Sequence, residues 1–111
     1  MKLDIRSDGG IFVAKPLGEH LDFETVGIFR REIESVGGSG NKVVLDMSEL
    51  QFVDSSGLGA LLSLLRRLSS EGGDLRLAGV TPSVAALLQL VRLDQIIGMY
   101  ESSDEAIRSF R

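Results

Sequence analysis

Apolar and polar positions change their spacing several times along the chain, and each change marks an element. Leu3 and Ile5 alternate with Lys2, Asp4 and Arg6, as in a strand with one face in water. Ser7-Asp8-Gly9-Gly10 is turn chemistry and Ile11–Lys15 is a second apolar run, which predicts an antiparallel hairpin ended by Pro16 and Gly18. Val26, Phe29, Ile33 and Val36 recur at helical spacing behind Asp22, an N-cap residue type, and Gly37-Gly38-Ser39-Gly40 predicts the stop. Val43, Val44 and Leu45 run too continuously for a sheet face that meets water, so they predict a strand covered on both faces. Leucines at 58, 61, 62, 65 and 68 predict an amphipathic helix, ended by Gly72-Gly73. Leu75 and Leu77 mark a strand over Asp74–Val80. Thr81-Pro82 then opens a third helix, as cap and first-turn proline, with Val84, Leu87, Leu88 and Val91 as its stripe. Ile96, Ile97 and Met99 predict a last short strand. Ser102 and Glu105 have capping-box spacing before a C-terminal helix with Ala106, Ile107 and Phe110.

The order is therefore β-β-α-β-α-β-α-β-α. Strands alternating with helices predict an α/β domain with a mostly parallel sheet and right-handed crossovers, the first hairpin adding an antiparallel partner. The connections are short, and residues 1–111 read as one domain. A chain of 111 residues buries roughly two thirds of its unfolded surface and needs no staple.

Composition removes several function classes. There is no cysteine, which excludes disulfides and thiolate chemistry, and with His20 as the single histidine a His/Cys zinc site is excluded too. Twelve Lys and Arg against sixteen Asp and Glu give a net charge of −4, which counts against binding a nucleic-acid backbone. Arg30-Arg31 and Arg66-Arg67 lie in helical patterns and read as solvated faces. No apolar run reaches the ~18–20 residues of a membrane span, and Met1-Lys2-Leu3-Asp4 does not begin a signal peptide. A free-standing cytoplasmic protein without cofactor is expected.

The candidate chemistry sits where the buried strand feeds the second helix. Asp54, Ser55 and Ser56 are helix-capping types, and the first turn presents two hydroxyls beside a carboxylate. A nucleophile elbow would need glycine at 53 or 54, where Val and Asp stand. Gly57-Leu58-Gly59 begins a dinucleotide fingerprint, but position 62 is Leu and no second half-domain follows. Without a Gly-Lys-Ser/Thr there is no P-loop, so an autonomous enzyme is not expected. A plain helix cap remains the simplest reading. Against it, Gly57 and Gly59 each cost helix propensity, on the order of 1 kcal/mol, and their missing side chains would let a partner backbone or a ligand come close. A phosphate on either serine would add about −1.5 to −2 charges. The helix dipole offsets this by some tenths to ~1 kcal/mol while Asp54 repels it, so modification should act on binding and leave the fold intact.

Val43–Val53 followed by Asp54-Ser55-Ser56-Gly57-Leu58-Gly59-Ala60-Leu61-Leu62 closely resembles the phosphoacceptor segment of the STAS-domain anti-sigma factor antagonists, and the resemblance extends over nearly the whole chain. It implies a single STAS domain, a sheet of four to five strands with helices mainly on one side, and Ser55 as the phosphoacceptor. The implied partners are an anti-sigma factor that is also a GHKL-type serine kinase, bound by the unmodified form, and a PPM-type phosphatase. Asp22, Asp54, Ser55, Ser56, Gly57, Leu58 and Gly59 would form the docking surface of a monomer or weak dimer. The family's Gly-Glu-Leu-Asp stands here as Gly18-Glu19-His20-Leu21-Asp22, with one residue extra, which leaves the register of Asp22 open. Two other roles fit the same fold: a nucleotide-sensing or transporter-associated subunit taking a phosphate at that helix N-terminus, and an adaptor switched by another kinase in an unrelated output pathway.

Overall fold

Glycines at 9 and 10, both at positive φ, turn β1 (Lys2–Asp8) back into β2 (Ile11–Leu17), so that Asp8 pairs with Ile11. Such a turn follows the twist of the strands it joins. In this computed structural model, which describes residues 1–36 and 40–111, β2 runs two residues past Lys15. Pro16 lies inside it, opposite Leu3, beyond the point where pairing with the next sheet neighbour ends at Ala14. A proline is tolerated where no ladder partner asks for its N–H.

The remaining elements follow in chain order: β3 (His20–Leu21), α1 (Val26–Ile33) with a 3-10 turn over Glu34–Val36, β4 (Lys42–Asp46) and β5 (Phe52–Val53). Then come α2 (Ser55–Ser70), β6 (Asp74–Ala78), α3 (Pro82–Leu90), a 3-10 turn over Leu93–Gln95, β7 (Gly98–Tyr100) and α4 (Ser103–Ser109). The main sheet has the order β1-β2-β4-β6-β7, antiparallel at the β1–β2 edge and parallel elsewhere. The mostly parallel five-stranded sheet is thus the expected one. The stop placed on Gly37-Gly38-Ser39 lies outside the described residues.

Two apolar layers flank the sheet, and β4 shows why its sequence is apolar throughout. Val43 and Leu45 point into the larger layer, with Phe29 and Ile33 of α1, Leu61 and Leu64 of α2, and Val84 and Leu88 of α3. Val44 points the other way, toward Ala106 and Ile107 of α4. Three helices cover one face and the fourth covers the other, so "mainly on one side" holds with α4 as the exception. Arg76 of β6, on the α4 face, holds the lone helix down: its guanidinium carbon lies 3.9 Å from the Phe110 ring centre, and Nη1 donates to Ser109 Oγ.

Four local expectations are corrected. The α2 stripe is centred on Gly57, Ala60, Leu61, Leu64 and Leu68, with Leu58, Leu62 and Leu65 only half-buried at its margin. Thr81 does not cap α3 through its side chain, because its hydroxyl donates to Leu50 O at 2.6 Å. Ile96 and Ile97 precede β7, and Ile96 faces solvent while Ile97 is buried. Asp22 is separated from the first residue of α1 by a turn: its Oδ1 accepts from the Glu24 and Thr25 amides, and its carbonyl from the Val26 amide. It starts the turn that becomes the helix.

Ile107 is 3% exposed and is the largest buried residue that α4 contributes. Ile107→Ala is expected to lower stability in urea unfolding by about 2–4 kcal/mol, the range for truncating a packed aliphatic side chain. A loss below about 0.5 kcal/mol would mean that α4 is not seated on the sheet.

Candidate functional site

The N-terminus of α2 is fixed by a second, two-stranded pairing that the hydrophobic pattern does not announce. β3 lies parallel to β5, with His20 opposite Phe52 and Leu21 opposite Val53. Glu19 O accepts from the Gln51 and Phe52 amides at 2.7 and 3.0 Å, and Leu21 O accepts from the Asp54 amide at 3.3 Å. This zipper sets the register left open by the extra residue near His20. It places the Asp22–Phe23 turn directly beside Asp54.

Asp54 joins the two segments through its carboxylate. Oδ1 accepts from the Gly57 amide at 3.0 Å, the N-cap bond of α2, while Oδ2 accepts from the Phe23 amide at 3.0 Å. One side chain therefore satisfies a free helix amide and a turn amide 31 residues earlier. The Gly57 amide is the main cause that holds the Asp54 carboxyl below its ordinary value of 3.8; partial desolvation opposes it, and the Phe23 amide adds to the lowering.

Ser55, the first helical residue, is exposed and Ser56 is half-buried. The two glycines, which share one cost in the sequence, part company in the structure. Gly57 is buried against Leu21, and a Cβ there would overlap Leu21 O and come within 2.8 Å of Val53 Cγ1. Its missing side chain serves internal packing. A Cβ on Gly59 would meet open space, so no internal contact explains that glycine. Leu58 is half-buried and packs on the core.

Sequence reasoning missed the aromatic residues beside the serine. Phe23 is 80% exposed although its own amide is fixed to Asp54, and Phe52 is 51% exposed with the His20 ring edge-on at 5.9 Å. Exposed apolar side chains carry meaning where they gather, and both of these belong to segments that Asp54 and the β3–β5 pair hold at the start of α2. Neither was legible: Phe52 lies in a two-residue strand that shows no period, and a phenylalanine after Asp22 fits the core equally well. Among the described residues there is no cluster of three metal-ligating side chains, and no helix is long and apolar enough to cross a membrane.

Gly57→Ala is expected to cost about 1–3 kcal/mol through the clash with Leu21, whereas Gly59→Ala is neutral or stabilises by up to about 1 kcal/mol. Equal effects in denaturant titrations would contradict the assignment. Asp54→Ala is expected to lower Tm at about pH 7 by roughly 4–8 °C, as for loss of a cap. A carboxyl with a lowered folded pKa contributes stability above its unfolded value and loses it as pH falls through the folded one. The difference in Tm between wild type and Asp54→Ala should therefore shrink as pH drops below 3.8. A difference that stays constant to about pH 2 would show that Asp54 acts without its charge.

Comparison with known proteins identifies the family and the fold. A family model described as the STAS domain matches residues 2–106. A Thermotoga maritima protein, provisionally named an anti-sigma factor antagonist, is 30% identical over 95 residues, 84% of each chain. The anti-sigma F factor antagonist of Paenibacillus polymyxa is 28% identical over 109 residues, covering 96% of this chain and 92% of that one. Among solved structures, the anti-sigma factor antagonist SpoIIAA in its unphosphorylated form superposes with a TM-score of 0.81 at 26% identity, over 99% of this chain and 96% of that chain. The Bacillus cell fate determinant SpoIIAA has also been solved in a phosphorylated form, which gives 0.74 at 25% identity over 99% of this chain and 100% of that chain. With a family model matched over residues 2–106 and a relative named as an anti-sigma factor antagonist 30% identical over 84% of each chain, the chain belongs to the STAS domain family, in the part of it that holds the anti-sigma factor antagonists.

Proposed function

We propose that the protein is a phosphorylation-controlled anti-sigma factor antagonist that docks through the surface around the N-terminus of α2. The observation that carries this reading is the environment of Ser55. It is an exposed hydroxyl at the first position of a helix, beside a cap residue whose two oxygens are already engaged, and the turn and the strand that meet at that cap each carry an exposed phenylalanine, Phe23 and Phe52. The partner is an anti-sigma factor with a GHKL-type serine kinase fold, which the unmodified form binds so that the sigma factor is released. A PPM-type phosphatase restores the unmodified form. The chain acts by binding and not by catalysis, in keeping with relatives named as anti-sigma factor antagonists.

A phosphate on Ser55 changes the surface more than the interior. Both Asp54 oxygens accept backbone amides, so the carboxylate stays in place and its charge faces the new one. The helix dipole supplies an opposing attraction of some tenths to ~1 kcal/mol. The exposed position leaves the added oxygens in water, while a partner seated on Phe23 and Phe52 would meet new bulk and about −1.5 to −2 charges. A buried interface tolerates such an unpaired charge poorly. Asp22, Ser56, Leu58 and Gly59 complete the contact surface, and Gly57 supports it from inside.

Incubation with a cognate kinase and mass mapping should place one phosphate, on Ser55; a phosphate elsewhere, or none, removes the switch. Ser55→Asp should keep Tm within about 4 °C of wild type and weaken partner binding by on the order of 100-fold. Retention of the same kinase partner by wild type and Ser55→Asp in a lysate pull-down would reduce Ser55 to a helix-start residue. Phe23→Ala should weaken binding about 30-fold or more with little change in stability, as a truncated aromatic anchor does.

A further inference from the structure

The main sheet ends in β1 on one side and β7 on the other, and β1 is the long edge, seven residues against three. A two-residue turn closes on a hydrogen-bonded pair, here Asp8 and Ile11. Antiparallel pairs alternate from there, so Asp8, Arg6, Asp4 and Lys2 turn their N–H and C=O groups toward β2. Pro16, with no N–H to give, stands opposite Leu3 and agrees with that alternation. The main-chain groups of Leu3, Ile5 and Ser7 therefore point off the sheet, and among the described residues no loop or helix backbone takes them up. Such an edge is a template for one more strand.

The side chains select which strand fits. Leu3 and Ile5 pack on the larger apolar layer, so Lys2, Asp4, Arg6 and Asp8 share the opposite face. Their charges alternate in sign, and Lys2, Asp4 and Arg6 are exposed. Asp8 already meets Arg6 and Arg111, but among the described residues no ion pair engages Lys2 or Asp4. Laid antiparallel against itself about Ile5, β1 sets Lys2 opposite Asp8 and Asp4 opposite Arg6, in both halves of the pair. These fall at the non-hydrogen-bonded positions, where side chains come closest, while Leu3, Ile5 and Ser7 exchange N–H and C=O bonds across the seam. A slide of two residues, the smallest that keeps those bonds, opposes Asp4 to Asp4 in one direction and Arg6 to Arg6 in the other. One full-length register remains.

We propose that β1 is a self-association edge, through which two copies of this chain join antiparallel about a twofold axis at Ile5 to form one continuous sheet. A single strand edge is a small interface, so the dimer is weak, with a Kd on the order of 0.1–1 mM at low salt. None of its residues belongs to the surface around Ser55, so it stands or falls apart from the proposed function.

The test is sedimentation equilibrium of the intact chain up to about 2 mM, in about 0.02 M and 0.5 M salt. Wild type should dimerise, and more weakly at the higher salt. Asp4→Lys and Arg6→Asp each place like charges opposite one another in both halves, so each should weaken dimerisation about tenfold or more. Mixed in equal amounts, the two variants regain opposite charges at every pair and should associate about as strongly as wild type. A variant that had lost its fold could not be rescued in this way. The proposal is overturned if wild type stays monomeric up to about 2 mM at low salt. It falls equally if either variant dimerises as wild type does, or if the mixture associates no better than the variants alone.

Discussion

The Asp54 carboxylate is the constraint on which the functional end of this fold depends. Its two oxygens reach two backbone amides, Gly57 at the start of α2 and Phe23 in the turn before α1. Each bond alone would be an ordinary cap or turn contact. Together they clamp two helices and the β3–β5 zipper at one point, close to Gly57, whose missing side chain lets α2 come down on Leu21. The consequence for function is positional. Ser55 projects from a fixed helix start, and Phe23 projects from a turn that cannot drift away from it. Ordering these residues in advance lowers the entropy that a partner must overcome on docking.

On the proposed function, the same arrangement separates folding from signalling. The apolar layers that hold the sheet are built from β4, β6 and the inward stripes of the helices, well below the exposed serine. A charge added at Ser55 meets solvent, a helix dipole and a pinned carboxylate, and these oppose one another. A docking partner has no such balance, since it must desolvate whatever stands there. By this argument the proposed switch at the helix N-terminus would change binding without unfolding the domain.

Much of this was legible in the residues and some was not. The continuous run Val43-Val44-Leu45 gave a strand buried on both faces, and β4 has that role because its neighbours carry helices on either side. Asp54 and Ser102 were legible as caps because their residue type and spacing carry the geometry. The β3–β5 pair was not legible, since two residues show no period and the pairing rests on the backbone of Glu19 and Leu21. Gly57 and Gly59 look alike in sequence; only the position of Leu21 tells packing from openness. Spacing also could not say that Arg67, unlike its neighbour Arg66, turns inward, or that Phe23 turns out.

The central claim is that modification at Ser55 alters a surface and leaves the fold unchanged. The direct measurement is a comparison of amide NMR spectra of the free protein before and after stoichiometric phosphorylation. Shifts confined to residues 20–24 and 52–59, with the β4 and β6 amides unmoved, are the predicted result. Shifts spread through the central strands, or loss of the Gly57 and Phe23 amide signatures of the Asp54 clamp, would contradict it.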